Sequence, residues 1–240
     1  MNIGEITYER FFNSIFWQEA TKEDVINAIK CGADIRACDH LKRTPMHCAA
    51  GYSRSAEVID FFLEQGIDVS ACDVMNITPL HYAAAHSETP EVMKKLLDKV
   101  KGTYKNMYRT ADFPSISGLT PLHWAVRSSK SLEVIYLFLH YEANSNAVDK
   151  CENTPLHWAA RSFRASEKII ELLIAKEANP NNINFHEKTP EDYIKRNRHL
   201  TLEKKQRILK MLEGYEKILS EYYCDELGHI RPNGHFSSKE

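Results

Sequence analysis

The chain has 240 residues, 43% hydrophobic and 27% charged, the balance of a folded protein with ample length for a core. A formal net charge of −2 excludes a global field that would draw it to nucleic acid or an anionic membrane, so a charged partner must meet a local patch. Six cysteines without a CxxC pair point to a reducing, cytoplasmic setting, and no apolar run is long enough to span a bilayer.

The start, MNIGEITYERFF, carries Glu5 and Glu9 and no apolar h-region, which argues against a secretory signal. ITYERFFNSIFWQEATKEDV then reads as a capping helix pair, with Phe12, Phe16 and Trp17 toward the rest of the chain and Glu9, Arg10, Asn13 and Gln18 toward water. A half-copy of a later motif, DVINAIKCGADIRACD, follows from Asp24.

Four segments then repeat: RTPMHCAA, ITPLHYAA, LTPLHWAV and NTPLHWAA, with a weaker fifth, KTPEDYIK. Their threonines are Thr44, Thr78, Thr120, Thr154 and Thr189, at spacings of 34, 42, 34 and 35 residues. A second motif begins at Glu57, Glu91, Glu133 and Glu167, 13 residues after the Thr in every case. In each copy the Thr caps a short helix and Pro occupies its first position, where a fixed φ and a missing N–H cost nothing. Ser55, Thr89 and Ser131 open the second helix, whose apolar residues, such as Val58, Ile59, Phe62 and Leu63, fall at helical spacing. Gly32 and Gly66 end the first two of these helices. Two helices of about ten residues cannot bury their own apolar faces, so such units must stack.

The 42-residue spacing places an insertion at 101–117, KGTYKNMYRTADFPSIS, with Tyr104, Met107, Tyr108 and Phe113 in it. It is either a tolerated surface excursion or a functional loop. From Thr201, Ile208, Leu212, Tyr215, Leu219 and Tyr222 form one apolar stripe, predicting a helix over 201–223 that caps the array or pairs with a partner helix. Residues 224–240 lack periodicity and read as a flexible tail.

TPLHYAA, TPLHWAV and TPLHWAA, with EVIDFFLEQGIDVSACD-like segments between them, resemble the ankyrin repeat over roughly residues 8 to 197. The resemblance implies an all-α solenoid of stacked helix pairs with β-turn fingers and a C-terminal capping helix. The array would occupy 1–200. Two departures stand out. The family usually places Gly two residues before the Thr, where this chain has Lys42, Asn76, Gly118, Glu152 and Glu187; Lys and Glu tolerate positive φ poorly, so some tips are expected to take a different turn. The loop between the two helices is one residue longer than usual in all four copies, as if they duplicated from one ancestor.

His47, His81, His123 and His157 recur once per repeat, about 10 Å apart by stacking, too far to converge on a metal whose ligands lie about 2 Å away. The resemblance gives this His a hydrogen bond across the turn. Cys48 follows His47 with no third group to orient the pair, and Cys224, His229 and His235 lack zinc spacing. GxxxxGK[ST], GxSxG and HExxH are missing, and neither an enzyme nor a cofactor is expected.

The resemblance puts partner contacts at the fingertips and on the exposed side of the first helices. Carried over copy by copy, the tips are His40, Leu41 and Arg43; Val74, Met75 and Ile77; Lys150, Cys151 and Asn153; and Phe185, His186 and Lys188. Leu41, Val74, Met75 and Phe185 are apolar where water is expected, marking either an interface or tips that pack on their neighbours. Tyr82, Trp124 and Trp158 share one position in successive repeats, either packed between the repeats or facing a partner, with His86 beyond Tyr82 on its helix. Arg127 and Arg161 follow 34 residues apart, with Lys130 and Arg164 near, as a basic ladder beside an aromatic one. With Tyr108 from the insertion, these residues are the expected contacts of a monomeric, non-enzymatic scaffold or adaptor that binds an acidic or mixed protein surface. A secreted effector of an intracellular bacterium or poxvirus, docking on a host protein in the host cytosol, is the alternative that the Lys-, Asn- and Ile-leaning composition also fits.

Overall fold

The computed structural model describes residues 11–103, 112–128, 131–163, 166–214, 222–224 and 230–232. It divides into two compact units, Met1–Ala143 and Asn144–Glu240. The first holds α1 (Ser14–Glu19), α2 (Lys22–Lys30), α3 (Pro45–Tyr52), α4 (Ala56–Glu64), α5 (Pro79–His86), α6 (Pro90–Thr103), α7 (Pro121–Ser128) and α8 (Leu132–His140). The second holds α9 (Pro155–Arg161), α10 (Glu167–Ala175), α11 (Pro190–Arg196) and α12 (Leu202–Glu213), and a short antiparallel pair, β1 (Tyr222–Cys224) with β2 (Ile230–Pro232).

Each Thr-Pro starts a helix as its chemistry dictates. Thr44, Thr78, Thr154 and Thr189 are extended at the N-cap, with Pro next in line. The His three residues on closes the cap: its Nδ1 accepts the Thr backbone N–H at 3.0–3.1 Å in all four full copies. An accepting Nδ1 puts the ring proton on Nε2. That Nε2 donates onward at 3.0 Å to the carbonyl before the next Thr, Ile77 for His47, Leu119 for His81 and Lys188 for His157. The histidines therefore bolt one repeat's cap to the next repeat's turn. In the fifth copy Asp192 takes the His place and accepts Thr189 N–H at 3.1 Å.

Within the first unit the short helices α1, α3, α5 and α7 pack in one layer and α2, α4, α6 and α8 in another; in the second unit α9 packs on α11 and α10 on α12. Ala49, Ala50, Ala83, Ala84 and Ala125 are fully buried, and such small side chains let the short helices approach closely. Val58, Ile59, Phe62, Met93, Leu96, Ile135 and Phe138 fill the second layer, each large one worth about 1.5–3 kcal/mol. At the N-terminal end Trp17 is fully buried, lies edge-on to Phe62 at 5.7 Å and donates its indole N–H to Phe11 O. Phe11, rather than Phe12, is its buried companion.

Three expectations are corrected. The tip turns do not differ with the missing glycine: Lys42, Asn76, Glu152 and Glu187 all adopt left-handed φ of 54–60°, beside Gly118 at 80°. The reason sits three residues earlier. One side-chain oxygen of Asp39, Asp73, Asp149 or Asn184 accepts the N–H groups two and four residues on, at 2.7–3.1 Å, and holds the turn whatever residue fills the tip. The helix predicted over 201–223 stops at Glu213, with Gly214 as its C-cap and Ile208 and Leu212 buried; Tyr222 lies in β1 instead. Glycine's backbone freedom weighs against helix beyond that point. Cys224 and Ile230–Pro232, expected in a flexible tail, belong to the strand pair.

Candidate protein-interaction surface

In the first unit the tip turns join edge to edge: Val74 N–H donates to Leu41 O at 3.0 Å and Ile116 N–H to Met75 O at 2.9 Å. Backbone groups make these joints, and the apolar side chains stay outside them. Leu41 is 38% exposed, Val74 43%, Met75 48% and Ile116 44%. They form one apolar row along consecutive turns. Ile77 is half-buried beside it and lends its carbonyl to His47. In the second unit Phe185 N–H donates to Cys151 O, and Phe185 is exposed likewise.

Arg43 is not available as a free contact. Its guanidinium clamps Asp39 at 2.6 Å and 2.7 Å. Burial opposes the charge on Asp39, but the Arg43 side chain and the Arg43 and Leu41 N–H groups outweigh it and hold the carboxyl below its ordinary range. Tyr82 is half-buried, edge-on to His47 at 5.4 Å. His86 is exposed and stacks on Tyr52 at 5.0 Å; with Gln18, Gly51, Arg54 and Glu88 these two line a groove of about 250 Å³. Tyr108, Lys130 and Arg164 lie outside the described residues.

Trp124 and Arg127 belong to the first unit, Trp158 and Arg161 to the second. Arg127 is exposed. The two tryptophans sit in different chemistry. Trp158 donates its indole N–H to Asp149 Oδ2 at 2.9 Å. Trp124, edge-on to His81 at 6.0 Å, has a buried Nε1 with no acceptor among the described residues. The position nine residues before each explains the contrast: Asp149 in one repeat, Ser115 in the other, with Ser115 Oγ engaged by Ser117. A buried donor left unpaired costs about 1–3 kcal/mol. Ser115→Asp should therefore stabilise the protein by about 1–2 kcal/mol, read as a higher urea midpoint at unchanged slope; a lower midpoint would refute this account of Trp124.

The aromatic and basic ladder continues within the second unit to residues absent from the sequence-based candidates. Tyr193 and Arg196 stand at the same offsets from Thr189 as Trp158 and Arg161 from Thr154. Tyr193 lies edge-on to His157, as Tyr82 does to His47, and Arg161 reaches over both Trp158 and Tyr193. The signal is the offset itself, obscured because KTPEDYIK lacks the Leu-His pair.

Burial lowers the pKa of His47, His81 and His157 despite the carbonyls they bond, so these rings are neutral structural members. Burial likewise pushes the Cys48 thiol up to about 11, leaving it a protonated core residue at neutral pH. Among the described residues no group of three His, Cys, Asp or Glu side chains gathers as a metal site, and no helix is long and apolar enough to cross a membrane.

A family model described as ankyrin repeats (3 copies) matches residues 17–109 and 89–184, well over half of the chain. No curated protein matches it. The stacked helix pairs, the histidine bolts between repeats and the extent of this match place the chain in the ankyrin-repeat family, all-α repeat solenoids that serve generally as protein-interaction modules.

Proposed function

We propose that this chain is a non-enzymatic scaffold or adaptor that holds a partner protein on the tip turns of its first unit, with the exposed first-helix residues around His86 and Arg127 contributing. The observation that carries this is the apolar row Leu41, Val74, Met75 and Ile116, continuous through two backbone hydrogen bonds and open to water. Contiguous exposed apolar surface is retained where another surface covers it. Arg43 acts from behind, by fixing the Asp39 turn that presents Leu41. Exposed thiols at Cys31 and Cys151 support a reducing, cytoplasmic setting.

Replacing Leu41, Val74, Met75 and Ile116 together by serine should leave helical circular dichroism and thermal midpoint intact. Proteins captured by the wild type should be retained at least about tenfold less, since a central apolar cluster dominates binding energy. Equal retention by a folded variant would remove the row from the interface.

A further inference from the structure

Arg161 ends α9 with its guanidinium 4.9 Å over the Trp158 ring and 5.7 Å from the centre of the Tyr193 ring. Both rings are pinned. Trp158 Nε1 donates to Asp149 Oδ2, and Asn184 Nδ2 donates to the Tyr193 hydroxyl, each at 2.9 Å. The anchors are locked in turn: Asn153 Nδ2 donates to Asp149, Asn184 Nδ2 donates to Asn153 Oδ1 at 2.7 Å, and all three residues are buried. The planar cation is thus oriented before any ligand arrives.

Among the described residues its donors meet no acid. Among the described residues neither Arg161 nor Arg196, the exposed arginine one repeat further on, forms an ion pair with a carboxylate. The nearby acids are engaged elsewhere: Asp149 with Trp158 and its own turn, Glu191 with Lys195, Asp192 with the Thr189 cap. Since α9 packs on α11, the two arginines stand about one helix layer, roughly 10 Å, apart. Arginine presents two parallel N–H groups to a carboxylate while stacking on an aromatic face, which lysine cannot do.

Resting on the reading of the chain as a binding module, we propose that Arg161 and Arg196, over Trp158 and Tyr193, bind an acidic segment of a partner protein. Arg161 takes one Asp or Glu carboxylate in paired hydrogen bonds, Arg196 a second, and the rings take the methylene stems between them.

The test uses the full chain and two labelled peptides, one of alternating Glu and Ala and its Gln isostere, followed by fluorescence anisotropy. The Glu peptide should bind at least about tenfold tighter than the Gln peptide and weaken as salt rises. Arg161→Gln and Arg161→Lys should each lose at least about tenfold, and Arg196→Gln a smaller factor, with thermal midpoints unchanged. Equal binding of both peptides, absence of binding, or indifference to Arg161→Gln overturns the proposal, as does a phosphoserine peptide binding where the Glu peptide does not. The four-serine turn variant separates this from the broader reading. If it loses captured partners while Arg161→Gln keeps them, the acidic site falls and the module stands; if neither variant loses them, both fall.

Discussion

Lowering the pH from 7 to 5 is expected to destabilise the protein, with His81 supplying about 2 kcal/mol of the loss at pH 5 and about 3 kcal/mol by pH 4. Burial pushes the His81 pKa from 6.5 to about 4, the Leu119 carbonyl and Asp73 opposing only in part. The unfolded chain therefore binds a proton between pH 6.5 and 4 that the folded chain refuses. Stability from this group is complete above 6.5 and is lost as pH falls toward 4. His47 and His157 shift in the same direction and add to the loss. The geometry shows why the proton is refused. A second proton on His81 would sit on Nδ1, 3.1 Å from the Thr78 nitrogen that donates to it, setting donor against donor and opening the helix cap. Asp39 and Asp149, both held below the ordinary carboxylate range, respond only at lower pH. Urea titrations at pH 7, 6 and 5 read the effect, and His81→Gln, though weaker at pH 7, should show a shallower slope with pH. A midpoint constant across that range in the wild type would contradict it.

The second large effect runs toward greater stability. Lys42, Glu142, Glu152, Glu177 and Glu187 hold left-handed φ of 54–64° with exposed side chains. Left-handed backbone costs a residue with a Cβ about 1–2 kcal/mol, while glycine adds about 0.5–1 kcal/mol of freedom to the unfolded chain. Each substitution by glycine should net about 0.5–1 kcal/mol. The five together should approach 3–4 kcal/mol if they add, raising the thermal midpoint by about 10 °C. Gly32, Gly66 and Gly118 already occupy equivalent turns at positive φ. A midpoint that stays put would mean that the side-chain bonds of Asp39, Asp149 and Asn184 have removed the strain rather than held against it.

The helices are legible in the sequence because their signals are local. Thr-Pro and the apolar spacing lie within a few residues of the backbone they shape, and a threonine such as Thr44 needs no distant partner to start a helix. The tip turns are harder to read. Weighing the residue that adopts positive φ neglects the acceptor three positions before it, although an Asp or Asn stands there in four copies. Arg43 resembles a contact until it is paired with Asp39; a charge four residues back is within reach of a long side chain. Tyr193 and Arg196 are hidden by the fifth copy's weak motif, and the stripe beyond Thr201 outweighs Gly214 in locating the helix end. Exposure of Leu41, Val74, Met75 and Ile116 depends on where whole turns meet, which no local pattern encodes.

Asp192 carries one more meaning. It closes the Thr189 cap as the histidines close theirs, yet an ionised carboxylate has no N–H to send onward. His157 can reach forward to Lys188, whereas Asp192 can only receive. The relay of caps therefore stops at Asp192. Asp192→His would restore a donor at that place, facing whatever packs beyond the fifth copy.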